Sequence, residues 1–151
     1  MELIEIVNQQ GIELINNIRA NLGSTGTNAT LQTSQSLRIE VSTEGAKIKL
    51  KLFGRPFFNT VETGRKPTPG KKPSRDMIRN ISIWAEARGI DERAVWAIAN
   101  KIQASGTKLW QEGGRTDIIE PALDTFINNV SQKLLDSAAD DFQIKIREME
   151  W

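Results

Sequence analysis

A chain of 151 residues, 38% apolar and 26% charged, has room for one packed domain and is tight for two. Its formal net charge of +1 separates it from globally basic nucleic-acid binders. With no cysteine and no histidine it cannot form disulfides, thiolate metal sites, or serine–histidine and cysteine–histidine nucleophile pairs, so an enzyme built from it is confined to carboxylates, lysine or a hard metal ion.

The opening Met1-Glu2-Leu3-Ile4-Glu5 carries acids where a signal peptide has basic residues, and no apolar run reaches membrane-span length. The expectation is a soluble protein made in a cytoplasm and used without secretion. Leu14, Ile15, Ile18 and Leu22 share one face at helical spacing, so residues 3–22 are predicted helical, weakened locally by Gly11. Gly23-Ser24-Thr25-Gly26-Thr27-Asn28 is predicted to break that helix, with a short helical turn near 29–34. Residues 36–53 are predicted to form a hairpin: Ile39 and Val41 alternate with Arg38 and Glu40, and Ile48, Leu50 and Leu52 alternate with Lys47, Lys49 and Lys51. A third strand is predicted over residues 57–61.

Helix returns after Pro73, with Ser74 or Asp76 as cap and Met77, Ile78, Ile81 and Trp84 on one face, and Gly89 ends it. Asp91 caps a second helix, striped by Val95, Ile98, Ala99 and Ile102 and stopped by Gly106. Residues 107–116 are predicted irregular around Gly113-Gly114. A long helix is predicted from Asp117 to about Ser137, with Pro121 tolerable in its first turn. Residues 142–151 fit either helix or strand. The expected fold is a single α+β domain over 1–151. Its antiparallel sheet of about three to four strands packs against an N-terminal helix, two short helices and a long C-terminal helix.

The most informative stretch links the predicted strands to the helices. Gly64, Pro67, Pro69, Gly70 and Pro73 preclude helix there, while Arg65, Lys66, Lys71, Lys72 and Arg75 place five cations in it with no acid between them. A long charged loop usually serves a partner. Three readings stand: contact with DNA phosphates, contact with a neighbouring subunit, or a solvated loop. The absence of aromatic residues between Gly64 and Arg75 gives DNA no base-stacking platform.

Glu62 beside Arg65 reads as a structural ion pair. Asp136 with Asp140-Asp141 lacks the glycine-bent loop and following glutamate of a hard-metal site and reads as a solvated acidic face. Trp84 and Trp96 fall on predicted helices and are expected in the core. Trp110, in a predicted loop, and Trp151, the last residue, are candidate interface anchors.

Val61-Glu62-Thr63-Gly64-Arg65-Lys66-Pro67, then Gly70-Lys71-Lys72-Pro73, then a helix holding Trp84, form an ordered set. Ala97-Ile98-Ala99-Asn100-Lys101-Ile102-Gln103-Ala104-Ser105-Gly106-Thr107 and Pro121-Ala122-Leu123 continue it. Over roughly residues 29–135 this set resembles a tailed-phage family of tail-completion or neck proteins, similar to the tenth protein of phage HK97. The resemblance implies a structural virion protein made in the bacterial host's cytoplasm. It implies a ring of identical copies in the neck or upper tail, beside portal, adaptor or tail proteins and near the passing genome. It implies no enzymatic activity, cofactor, metal or membrane. On this view Gly64, Arg65, Lys66, Lys71, Lys72 and Arg75 are candidates for subunit or DNA contact. The alternative is a small nucleic-acid-binding module using residues 64–75.

Overall fold

A computed structural model describes residues 2–27, 31–56, 58 and 60–149. The fold is α+β, with a two-stranded antiparallel sheet and a long C-terminal helix. Helix α1 (Leu3–Ser24) buries Ile6, Val7, Leu14, Ile15, Ile18 and Leu22 along one stripe. Gly11 lies on that stripe, where a Cβ would come within 2.5 Å of Ile39 Cδ1 and 2.9 Å of Leu50 Cδ1. The weak helix former therefore has a packing role: it lets the hairpin sit directly on the helix backbone. The expected break at Gly23 comes later, since α1 runs through Ser24 and the turn falls at Thr25 and Gly26.

A short helix, α2 (Gln32–Ser36), is tied to α1 by the Arg19 guanidinium, whose Nε donates to Ser34 O at 2.8 Å. Strands β1 (Arg38–Glu44) and β2 (Lys47–Phe53) pair with Ile39 opposite Leu52, Val41 opposite Leu50 and Thr43 opposite Ile48. The alternation thus places one apolar face on α1, while Glu40 and Lys51 pair on the solvent face.

The predicted third strand is not formed. After Gly54 the chain makes successive turns, Phe58 N donating to Arg55 O and Val61 N to Phe58 O, and enters a single helical turn, α3 (Thr60–Thr63). Phe58 and Val61 reach the core from these turns, so the apolar run fills space without pairing. Phe57 and Asn59 lie outside the described residues.

Helix α4 (Arg75–Ala87) begins at Ser74, whose Oγ accepts from Met77 N at 3.2 Å. Asp91 Oδ1 accepts from Arg93 N at 2.9 Å and starts a 3-10 turn (Glu92–Ala94) leading into α5 (Val95–Ser105). These helices pack on each other, and Met77, Ala85, Val95 and Ala99 on them are buried. The expected core placement of the tryptophans fails: Trp84 is 37% exposed and Trp96 57%.

The irregular stretch after Gly106 contains one helical turn, α6 (Lys108–Gln111). The last helix, α7 (Glu120–Met149), has 30 residues and is about 45 Å long. It settles the open tail as helix up to Met149. It packs on α1, with Ile118 and Ala122 buried at its start against Leu14, Ile18, Leu22 and Leu37. Asn21 Nδ2 donates to Ile118 O at 2.8 Å and fixes the two helices at that end. No described helix is long and apolar enough to cross a membrane.

Candidate functional site

The segment from Glu62 to Thr68 is stitched to residues 103–119, 35 to 57 residues further along the chain. Glu62 Oε1 accepts from Ile119 N at 2.6 Å and from Ile118 N at 3.2 Å. Its backbone oxygen accepts from Arg115 N at 2.8 Å. Glu62 therefore satisfies orphan donors at the start of α7 and places a carboxylate at the positive end of that helix. The expected ion pair with Arg65 is not made. An acid next to a base in sequence is a weaker attraction than two N–H groups pointing at it in space.

Gly64 follows at φ 72, where a Cβ would lie 2.5 Å from Trp110 N and 2.6 Å from Thr107 Oγ1. Only glycine meets both the positive φ and the close backbone approach. Arg65 N then donates to Thr107 Oγ1 at 3.0 Å, Thr107 N to Arg65 O at 3.0 Å, and Thr68 N to Gln103 O at 2.9 Å. Gly106 mirrors Gly64: at φ 77 its Cβ position is 2.8 Å from Arg65 O. Residues 64–68 are thus held against the end of α5 and the start of α6, and Pro73 is buried. Residues 69–72 are exposed, as are Arg65, Lys66 and Arg75. Gly70, at φ 81, has open space around it.

This stitching walls a groove of about 790 Å³. Phe58, Val61, Met77 and Trp110 supply apolar surface, and Arg55, Arg65 and Lys66 supply charge. Asp76 contributes one carboxylate, 3.1 Å from the Arg79 guanidinium. The structure therefore brings Gly64, Arg65, Lys66 and Trp110 together. Lys71, Lys72 and Arg75 do not line the groove. Trp110 sits in α6, not in an irregular loop, and is 44% exposed. Trp151 lies outside the described residues. Arg55, Met77 and Asn80 also line the groove, and sequence reading missed them as site residues because nothing local marks them.

Among the described residues none of Arg65, Lys66, Lys71, Lys72 and Arg75 is in an ion pair. Arg65 reaches only a neutral acceptor, Gln103 Oε1, at 3.4 Å. Nearby, Arg115 is paired: its Nε and Nη2 donate to the two Asp117 oxygens at 2.6 and 2.7 Å. That fork holds the Asp117 carboxyl below its ordinary range and raises Arg115, chiefly through the hydrogen bonds.

Large apolar side chains stand in solvent on α7: Leu123, Ile127, Leu134 and Leu135, with Ile127 56% and Leu135 66% exposed. Among the described residues no group of three or more acids gathers as a metal site, and Asp136 Oδ1 accepts from Gln132 Nε2 at 2.9 Å. No protein-family model, curated protein or solved structure matches this chain. Its function is therefore argued from the groove, the unpaired cations and the exposed apolar surface.

Proposed function

We propose that this chain is a structural virion protein of a tailed bacteriophage. It forms a homo-oligomeric ring in the neck or upper tail, joins head to tail, and meets portal, adaptor or tail proteins above and below. The observation that carries the reading is the apolar surface left uncovered on a monomer with a well-formed core: Trp96, Trp110, Ile127 and Leu135 are all exposed. Such surface marks contact with other proteins. The resemblance of residues 29–135 to tail-completion and neck proteins supplies the kind of assembly. Its best-marked pieces, Val61 to Pro67 and the stretch around Gly106 and Thr107, meet in space as one framework. The action is steric and adhesive, with no chemical step.

Negative-stain microscopy and native mass spectrometry of the purified protein should show a closed ring. Antibody labelling of phage particles should mark the head–tail junction. A protein that stays monomeric at micromolar concentration and is absent from particles overturns the reading.

The second reading, a nucleic-acid-binding module, is favoured by the five cations without a carboxylate partner. DNA affinity would then fall with salt, at a slope of about −0.9 per phosphate contacted. Arg65→Ala with Lys71→Ala and Lys72→Ala would flatten that slope by about 2 to 3. Fluorescence anisotropy showing no DNA binding at low salt rejects it.

A further inference from the structure

The ring reading leaves open which surfaces meet, and the groove and α7 answer each other chemically. Three cations, Arg55, Arg65 and Lys66, line the groove. Its one carboxylate, Asp76, is already held by Arg79. Between the positive side chains lies apolar surface from Phe58, Val61 and Trp110. A complementary partner is a helix or strand that is apolar in its middle and acidic beside it.

The outward side of α7 has this character. Glu120, Leu123, Asp124 and Ile127 are exposed and fall on one side of the helix at 100° per residue. Leu123, Ile127, Val130 and Leu134 follow each other at the alternating four- and three-residue spacing of a helix seam that packs against a partner. The sole cation between residues 120 and 140 is Lys133. It is exposed, but at 100° per residue it falls about 130° around the helix from the middle of that strip. The exposed strip thus offers leucine and isoleucine flanked by two carboxylates and no positive charge.

We propose that α7 of one copy lies in the groove of the next, its Leu123 and Ile127 on the groove's apolar wall and its Glu120 and Asp124 beside Arg55, Arg65 and Lys66. This rests on the ring reading above and names the contact that closes it. The two surfaces are different patches of the same chain, so the contact is head-to-tail, the type that propagates into a ring when the rotation closes. An amphipathic helix in an apolar groove supplies the adhesion, and the charges fix its register. The groove's cations and the exposed Leu123 and Ile127 are satisfied by one event.

Reversing charge on each patch tests this. The groove variant carries Arg65→Glu and Lys66→Glu; the helix variant carries Glu120→Lys and Asp124→Lys. Circular dichroism and melting check that each stays folded; if either unfolds, Lys66→Glu and Asp124→Lys alone replace the pairs. Each variant alone now opposes like charges and should self-associate at least about 100-fold more weakly, sedimenting as the 16.9 kDa monomer. Single substitutions should give at least about tenfold. Mixed in equal amounts, the two variants should reassemble into rings, because the acidic groove of one accepts the basic helix of the other. Rings formed by either variant alone at wild-type concentration overturn the contact and leave the ring reading standing. So does a mixture that stays monomeric. A wild-type protein that forms no ring under any of these conditions overturns the ring reading and this contact with it.

Discussion

Replacing Glu62 with alanine removes two donors' partner at once at the start of α7. The shorter bond, 2.6 Å from Ile119 N, is charge-assisted and worth about 1.5–3 kcal/mol. The longer one, 3.2 Å from Ile118 N, adds about 0.5–1 kcal/mol. Ile118 is fully buried, so its N–H has little access to replacement water. The sum, about 2–4 kcal/mol, exceeds the loss of an ordinary exposed helix cap, about 1 kcal/mol. For a domain of this length each kcal/mol moves the melting temperature by about 2–4 °C, so Glu62→Ala should melt about 4–16 °C below wild type. Glu62→Gln keeps an acceptor oxygen and loses only the charge, and should fall by about 2–4 °C. Differential scanning calorimetry at neutral pH measures both. An alanine variant melting within about 1 °C of wild type refutes the capping role, because a cost below about 0.5 kcal/mol is that of an idle surface residue.

Gly64→Ala should destabilise by about 2–4 kcal/mol through the positive φ and the Trp110 backbone, whereas Gly70→Ala, with the same sign of φ and open space, should cost about 1 kcal/mol. Urea unfolding separates them, and equal losses contradict the close approach. Asp117 is the tighter acid when folded, so its contribution is fully present above its ordinary value of 3.8 and is lost as pH falls below that through the depressed value. Asp117→Asn should therefore be less stable than wild type near neutrality and converge with it below that window; a constant gap across the acid limb contradicts the Arg115 fork. Trypsin should cut first between Lys71 and Lys72: Lys66 and Lys72 precede prolines, and Arg75 is the first residue of α4. Initial cleavage after Lys133, inside α7, contradicts this order of exposure.

Much of the secondary structure was legible locally. The hairpin follows from the alternation of Ile39 and Val41 and of Ile48, Leu50 and Leu52, and the observed register keeps those residues on one face. Ser74 caps α4 as expected and Asp91 caps the 3-10 turn that leads into α5, while Gly89 and Gly106 take positive φ where α4 and α5 end. These features depend on neighbours within a few residues, so short-range sterics and hydrogen bonding determine them. The candidate site was legible in part. The spacing of Gly64, Arg65 and Lys66 marked a special backbone, but not that Trp110 lies against it or that Lys71, Lys72 and Arg75 stand apart from the groove.

The tertiary structure alone decided three things. Residues 57–61 read as a strand, yet the described ones among them pair with neither edge of the two-stranded sheet, and the core took Phe58 and Val61 from turns. Trp84 and Trp96 fit a helical stripe, but the buried positions of α4 and α5 are Met77, Ala85, Val95, Ala99 and Gln103, and both indoles stay exposed. Glu62 has its partners 56 and 57 residues away. A carboxylate's partner is set by which unsatisfied donors the folded backbone brings within about 3 Å, and proximity in sequence gives no measure of that distance.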